Sequence, residues 1–261
     1  MASILDRYGI KEVADVTFYE IDKETGKPGK PVLYLDTLKV STIEQTAENT
    51  SARGGKGNPE LISWDYNKEV SVTLEDALFS PKSMAIMFGD ETLTKLGKTG
   101  SIRKTFDAKK VYEKDGAKYV KFADKELAVA SMQGFDEDGA ETDGGTGSKP
   151  VAYYVCELST NDGFKIEITP DTFPGNYYVT GDTYARSEVS GEDDFFQFIM
   201  PKVKILSENT LTMEAEGDPT VFNMNLKVLK PLSGGMMELI QYTLADNTTP
   251  KKPEMPGDEE A

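Results

Sequence analysis

The stretch Glu69-Val-Ser-Val-Thr-Leu-Glu75 decides how this chain reads. Val70, Val72 and Leu74 alternate with Ser71 and Thr73, the two-residue period of a strand with one dry face and one wet one. Phe164-Lys-Ile-Glu-Ile-Thr169 repeats the pattern, with Phe164, Ile166 and Ile168 on one side. Working outward, strands are predicted at 13–21, 32–40, 61–66, 118–122, 127–132, 151–158, 195–206, 210–214, 221–229 and 237–244. Most are bounded by Gly, Asn, Asp or Pro, which supply the backbone angles that tight connections require. One helix is well punctuated: Ser80 caps it, Pro81 loses nothing at a first-turn position, Met84, Met87 and Phe88 share a side, and Gly89 suits a left-handed stop. A second start, Asp107-Ala-Lys-Lys-Val111, has fewer such marks. Many strands with one or two short helices predict a mainly β protein, a β-sandwich or barrel-like domain.

Composition excludes several chemistries. The 261 residues contain no His and one Cys, so a Ser-His-Asp or Cys-His catalytic set and a thiolate zinc site are not available within one chain. Cys156 lies in the strand-like run 151–158 and reads as a small core hydrophobe. Lys and Arg number 29 against 45 Asp and Glu, a formal net charge of −16, which argues against gripping nucleic acid through its phosphates. No run of roughly 18 apolar residues predicts a membrane span, and the N-terminal Met1–Arg7 lacks the pattern of a secretory leader.

Motif-like fragments fail on mechanics. Gly97-Lys98-Thr99 resembles the end of a phosphate loop, but Thr92 stands where the leading glycine is needed. Ser101-Ile-Arg-Lys104 has the spacing of a serine nucleophile and its lysine without the companion motifs in the right order. The acids of the Gly-rich segment 134–150, namely Asp136, Asp138, Glu141 and Asp143, depart from calcium-loop spacing and lack a closing bidentate Glu. That segment is expected to be a long, exposed acidic loop, and 246–261 a flexible tail rich in Pro and charge. The organisation that follows is one β-rich domain over 1–245 with a C-terminal tail. No catalytic residue, metal or cofactor is assigned.

The segment Thr46-Ala-Glu-Asn-Thr-Ser-Ala-Arg-Gly-Gly-Lys-Gly-Asn-Pro-Glu60 has a different character. Read as a loop, it is long for a compact domain, and long loops are usually functional. It is either a flexible hairpin tip or a basic arm that meets acids on a neighbouring subunit. The candidate contact residues are Arg53, Gly54, Gly55, Lys56, Gly57, Asn58 and Pro59, with the glycines permitting close backbone approach.

This segment belongs to a wider pattern. The run from Ala52 to Asp65, the run from Lys68 to Ser80, Phe173-Pro-Gly-Asn-Tyr-Tyr-Val-Thr-Gly181, 195–201 and 215–226 together resemble virion structural proteins of tailed bacteriophages, most closely major tail or tail tube proteins. The resemblance spans about residues 30 to 245 and carries no chemistry of its own. It implies subunits made in the bacterial host cytoplasm that close into six-fold rings through sheet edges. The rings stack through loops and arms, bind other tail proteins, and leave a channel in which DNA is non-specific cargo. The loop 47–59 would then touch an adjacent protomer or ring, the helix 81–88 would brace the ring contact from the barrel exterior, and the acidic balance would keep phosphates from sticking. Two alternatives are a capsid decoration or head–tail joining protein, and a carbohydrate-binding or hydrolytic β-domain with Tyr153, Tyr154, Tyr177 and Tyr178 lining a cleft.

Overall fold

The computed structural model describes residues 7–90, 93–97, 101–122, 125–160, 162–208 and 221–243. The chain forms two compact units, one built from 1–91 and 168–261 and the other from 92–167. The first unit begins with β1 (Tyr8–Ile10), β2 (Asp15–Ile21), β3 (Pro28–Leu35), β4 (Leu38–Arg53), β5 (Glu60–Asp76) and helix α1 (Pro81–Phe88). The second holds β6 (Thr94–Leu96), β7 (Ser101–Asp107), a 3-10 turn at Ala108–Lys110, β8 (Val111–Lys114), β9 (Ala117–Phe122), β10 (Lys125–Phe135), β11 (Tyr153–Ser159) and β12 (Gly163–Lys165). The chain then completes the first unit with β13 (Asn176–Ser187), β14 (Asp193–Ile205), β15 (Phe222–Val228) and β16 (Glu238–Tyr242).

In the first unit the strands pair in the order β3-β2-β13-β14-β15-β5-β4, with β1 added to β13 and β16 to β14. Laid flat, β3 and β4 would stand about 29 Å apart at ~4.8 Å per strand spacing. Instead Leu33 and Leu35 of β3, Leu38 of β4 and Val72 and Leu74 of β5 share one core with Phe18, Val179, Met200 and Leu226. The sheet therefore curls over itself around a single apolar interior, the sandwich or barrel-like arrangement expected. Helix α1 sits where predicted. Ser80 Oγ accepts the Ser83 N–H at 3.0 Å, Ser83 Oγ accepts the Ser80 N–H at 2.9 Å, and Gly89 closes the helix at φ 82°. The buried face differs from the one expected: Ser83, Ala85, Ile86 and Met87 are buried, while Met84 and Phe88 are only half-buried. Ile86 and Met87 belong to the main core, so the helix packs as a wall of that core.

Three strand boundaries are corrected. The predicted strand 32–40 is two strands broken at Asp36-Thr37, where buried Asp76 accepts hydrogen bonds from Thr37 Oγ1 and, at 3.2 Å, from the Leu78 N–H. The predicted strand 164–169 stops at Lys165, because its partner β6 runs out at Thr94. Phe164 and Ile168, assigned to a dry face, are exposed. Conversely β13 is a central strand where no strand was predicted: its inward positions Tyr177, Val179, Gly181, Thr183 and Ala185 include too many small or polar residues to show an apolar period. The candidate strand 210–214 and the tail 246–261 lie outside the described residues.

In the second unit five strands pair in the order β7-β11-β10-β9-β8, and β6 pairs with β12. Phe106, Val120 and Cys156 form its small core, flanked by Val111, Met132 and Tyr154. Cys156 is fully buried, as a core hydrophobe should be, and burial pushes its thiol above the usual range. Strand β10 continues through Phe135, so the acidic loop begins at Asp136. That carboxylate is itself buried and accepts N–H groups of Asp138 and Ala140 at 3.0 and 2.8 Å, closing the first turn, while the rest of the loop is exposed. Entropy alone underrates this segment, because hydrogen bonds to one carboxylate order its start.

Candidate assembly interface

Strands β4 and β5 pair along nearly their whole length, yet β15 supports β5 only between Val70 and Asp76. Beyond that anchor the hairpin is a two-stranded ribbon. From Thr46 to Arg53 it extends about 25 Å at ~3.4 Å per residue. Every residue from Glu60 to Glu69 is exposed. The expected long loop is thus mostly strand, and the true turn is limited to Gly54–Pro59. Polar Thr46-Ala-Glu-Asn-Thr-Ser51 carries no apolar period, so its strand character comes from pairing with β5 and not from its own sequence.

The predicted contact residues gather at the tip. Arg53 ends β4 and pairs across the hairpin with Glu60 at 3.0 Å, so its charge is already met within the chain. Gly54 N–H donates to Pro59 O and Asn58 N–H to Gly55 O, both at 3.2 Å. Gly55 and Gly57 hold φ of 84° and 86°, with nothing within 4 Å of where a Cβ would be. Within the chain their glycine character serves the backbone conformation of the turn. Lys56 is exposed at the apex and forms no ion pair among the described residues.

A bulge gives the ribbon its two faces. Thr46 lies opposite Glu69 but Glu48 lies opposite Tyr66, so β5 takes three steps where β4 takes two. Asn67 fills the extra place at φ 50°, and its amide donates to Glu48 Oε2 at 3.3 Å. Because side chains alternate strictly, one extra residue moves Ile62, Trp64 and Tyr66 off the face that Val70, Val72 and Leu74 present to the core. On the resulting outer face these three are 53%, 51% and 46% exposed, opposite Ala52, Thr50 and Glu48. The other face carries polar side chains, where Asn49 donates to Asp65 Oδ1 at 3.0 Å and to Ser63 Oγ, and Leu61, 63% exposed, sits near the tip at a second register shift. The apolar stripe is the functional feature that the sequence reading missed. Its sign was an apolar alternation at 62, 64 and 66 directly beyond a core-facing alternation at 70, 72 and 74, with no second apolar strand to cover it.

A second surface, exposed at Tyr184 and half-buried at Phe195 and Tyr242, lies on the outside of the main sheet. Phe195 of β14 stacks between Tyr184 of β13 and Tyr242 of β16, with ring centroids 5.4 Å apart on both sides. One rung further along stand Asp182, Gln197 and Ile240, and Asp182 lies directly opposite Asp15 of β2. Gln197 donates to Asp182 at 2.7 Å and Tyr34 to Asp15 at 3.4 Å. The Asp15 charge, reinforced by Asp36 and Asp182, holds the Tyr34 hydroxyl above its ordinary range.

Of the discarded motifs, Ser101 and Lys104 lie three residues apart along extended β7, with Lys104 Nζ 3.6 Å from the Phe122 ring centroid. Lys98 and Thr99 lie outside the described residues. Tyr177 is buried in the main core while Tyr178 faces the other way against Tyr19, so these two cannot line one cleft. A groove of about 340 Å³ in the first unit is lined by Ile21, Asp22, Pro201, Leu232 and their neighbours, with no aromatic ring among them to stack on a sugar.

No curated protein matches the chain. Residues 8–241, which take in the ribbon, the inserted unit and all of the ladder except Tyr242, match the YomU/Tube protein family, a name that points to a phage-type tube or structural protein, and the chain belongs to that family.

Proposed function

We propose that this chain is a tail tube subunit of a tailed bacteriophage. It is a virion protein whose copies close into six-fold rings and stack into a channel for DNA. The observation that carries the proposal is the ribbon: a two-stranded hairpin with Ile62, Trp64 and Tyr66 on one exposed face and, among the described residues, no third strand. Such a ribbon is marginal on its own and leaves apolar area in water. A neighbouring copy that covers it supplies the missing packing. Family membership supports the same reading, and the net charge of −16 suits a channel wall that must not hold phosphates. Partners are other copies and other tail proteins, with no catalytic step. Among the described residues no helix is long and apolar enough to cross a membrane.

Negative-stain images of the concentrated purified protein test this. Stacked rings or long tubes are the expected result. Closed trimers, or single rings that never stack, would instead favour a decoration or joining protein. Monomers alone at millimolar concentration overturn assembly altogether.

A further inference from the structure

Within one chain the ribbon stripe is exposed, and on the outer sheet face Tyr184 is exposed while Phe195 and Tyr242 are half-buried. Each lacks what the other offers. The ribbon presents three apolar side chains over about 13 Å, two steps of two residues at ~3.4 Å each. The sheet presents Tyr184, Phe195 and Tyr242 as a ladder about as long, two ring spacings of 5.4 Å. Next to the ladder, Asp15 and Asp182 face each other across two strands, a like-charge arrangement that weakens a sheet unless a cation meets it. No cation does so among the described residues. On the ribbon, Lys56 and Lys68 are exposed cations with no ion pair among the described residues, and Lys56 is the one at the apex.

The separations agree. With Ile62 and Trp64 laid over the ladder, the apex bearing Lys56 stands about 10 Å beyond Ile62, counting three extended residues at ~3.4 Å. From Phe195, Asp182 lies one strand across and two residues along, about 8 Å, and Asp15 about 12 Å, at ~4.8 Å per strand and ~3.4 Å per residue. The lysine stem spans the remainder.

We propose, building on the self-assembly reading above, that the ribbon of one copy docks on the outer sheet face of a second. Its Ile62 and Trp64 cover the Tyr184–Phe195–Tyr242 ladder and its Lys56 meets the Asp15–Asp182 pair. Two different patches make a heterologous contact, which repeats from copy to copy and generates a ring or a tube instead of stopping at a dimer.

Two single-cysteine variants test the contact: Thr50→Cys on the ribbon face and Gln197→Cys beside the ladder, linked by a short bismaleimide. Buried Cys156 stays out of reach, and the unaltered chain reports any background. A linked dimer is expected when the two variants are mixed, and not with either alone. Lys56→Glu placed in the Thr50→Cys chain should cut the yield at least fivefold, and Asp15→Lys with Asp182→Lys in the Gln197→Cys chain should restore it. Tubes without the mixed cross-link overturn this contact and leave the tube subunit standing. The mixed cross-link without rings or tubes supports the contact and removes the tube subunit. Absence of both overturns both.

Discussion

Gly181 shows how one residue shapes the main sheet. It faces inward on β13 directly beneath Phe198 of β14, and a Cβ there would stand 1.9 Å from the ring. No tilt of Phe198 relieves that, because the ring is itself buried in the core. Gly181→Ala should therefore cost about 1–3 kcal/mol or more, as overpacked core positions do, read as a lower urea midpoint at unchanged slope. Five residues further along the same strand pair, Arg186 Nε and Nη2 reach the two oxygens of Asp193, both at 2.7 Å. Those hydrogen bonds hold the Asp193 carboxyl below its ordinary range. A lowered carboxylate stabilises above the unfolded-state pKa and loses that contribution as pH falls through its own lower value. Arg186→Gln should thus be less stable than the unaltered chain at pH 7, and the two unfolding curves should converge as pH falls through and below the ordinary Asp range. A gap that persists undiminished in acid would assign the effect to packing. Neither residue was legible beforehand, since a glycine under a ring and a cross-strand ion pair are set by register and not by sequence spacing.

Elements were legible where their own residues carry the period. The Val70-Val72-Leu74 alternation, the Ser80 cap with Gly89, and the fully buried Cys156 all read correctly because each depends on neighbours in sequence. The β4 side of the ribbon was read as loop because residues 46–53 become strand only through pairing with β5, whose 61–66 was read as strand. The stripe was hidden for a second reason: a single bulged residue reassigns its face. This gives a test at the level of the element. Deleting Asn67 should restore unbroken alternation, turning Ile62, Trp64 and Tyr66 toward the side that Val70 and Val72 occupy. The β15-supported anchor keeps its own pairing, so circular dichroism and thermal unfolding of the monomer should change little. Assembly seen by light scattering should fall at least tenfold in rate. Unchanged assembly with a shortened β5 would show that the face of the stripe does not matter.

At the scale of the molecule the open question is what balance of forces lets such acidic subunits associate. Two bodies of charge −16 held ~30 Å apart repel by about 35 kcal/mol in unscreened water, from 332/(εr) with ε near 80. At ~10 mM salt the screening length is about 30 Å and roughly a third of that repulsion survives, whereas at ~0.15 M the length is about 8 Å and only a few per cent does. One exposed lysine–carboxylate contact contributes only about 0–1 kcal/mol, so losing it to screening matters far less. Apolar cover of the ribbon and ladder, at about 25 cal/mol per Å², is indifferent to modest salt. Repulsion is thus the term that salt changes most. The concentration at which assembly begins should fall steeply as sodium chloride rises from about 10 to 150 mM, then level off above that, where the screening length is already shorter than the subunit. Sedimentation of the assembled fraction across that series reads it directly. A threshold that rises with salt would mean that ion pairs between copies, and not buried apolar area, hold the assembly together, and the Lys56 contact would then outweigh Trp64 in setting its strength.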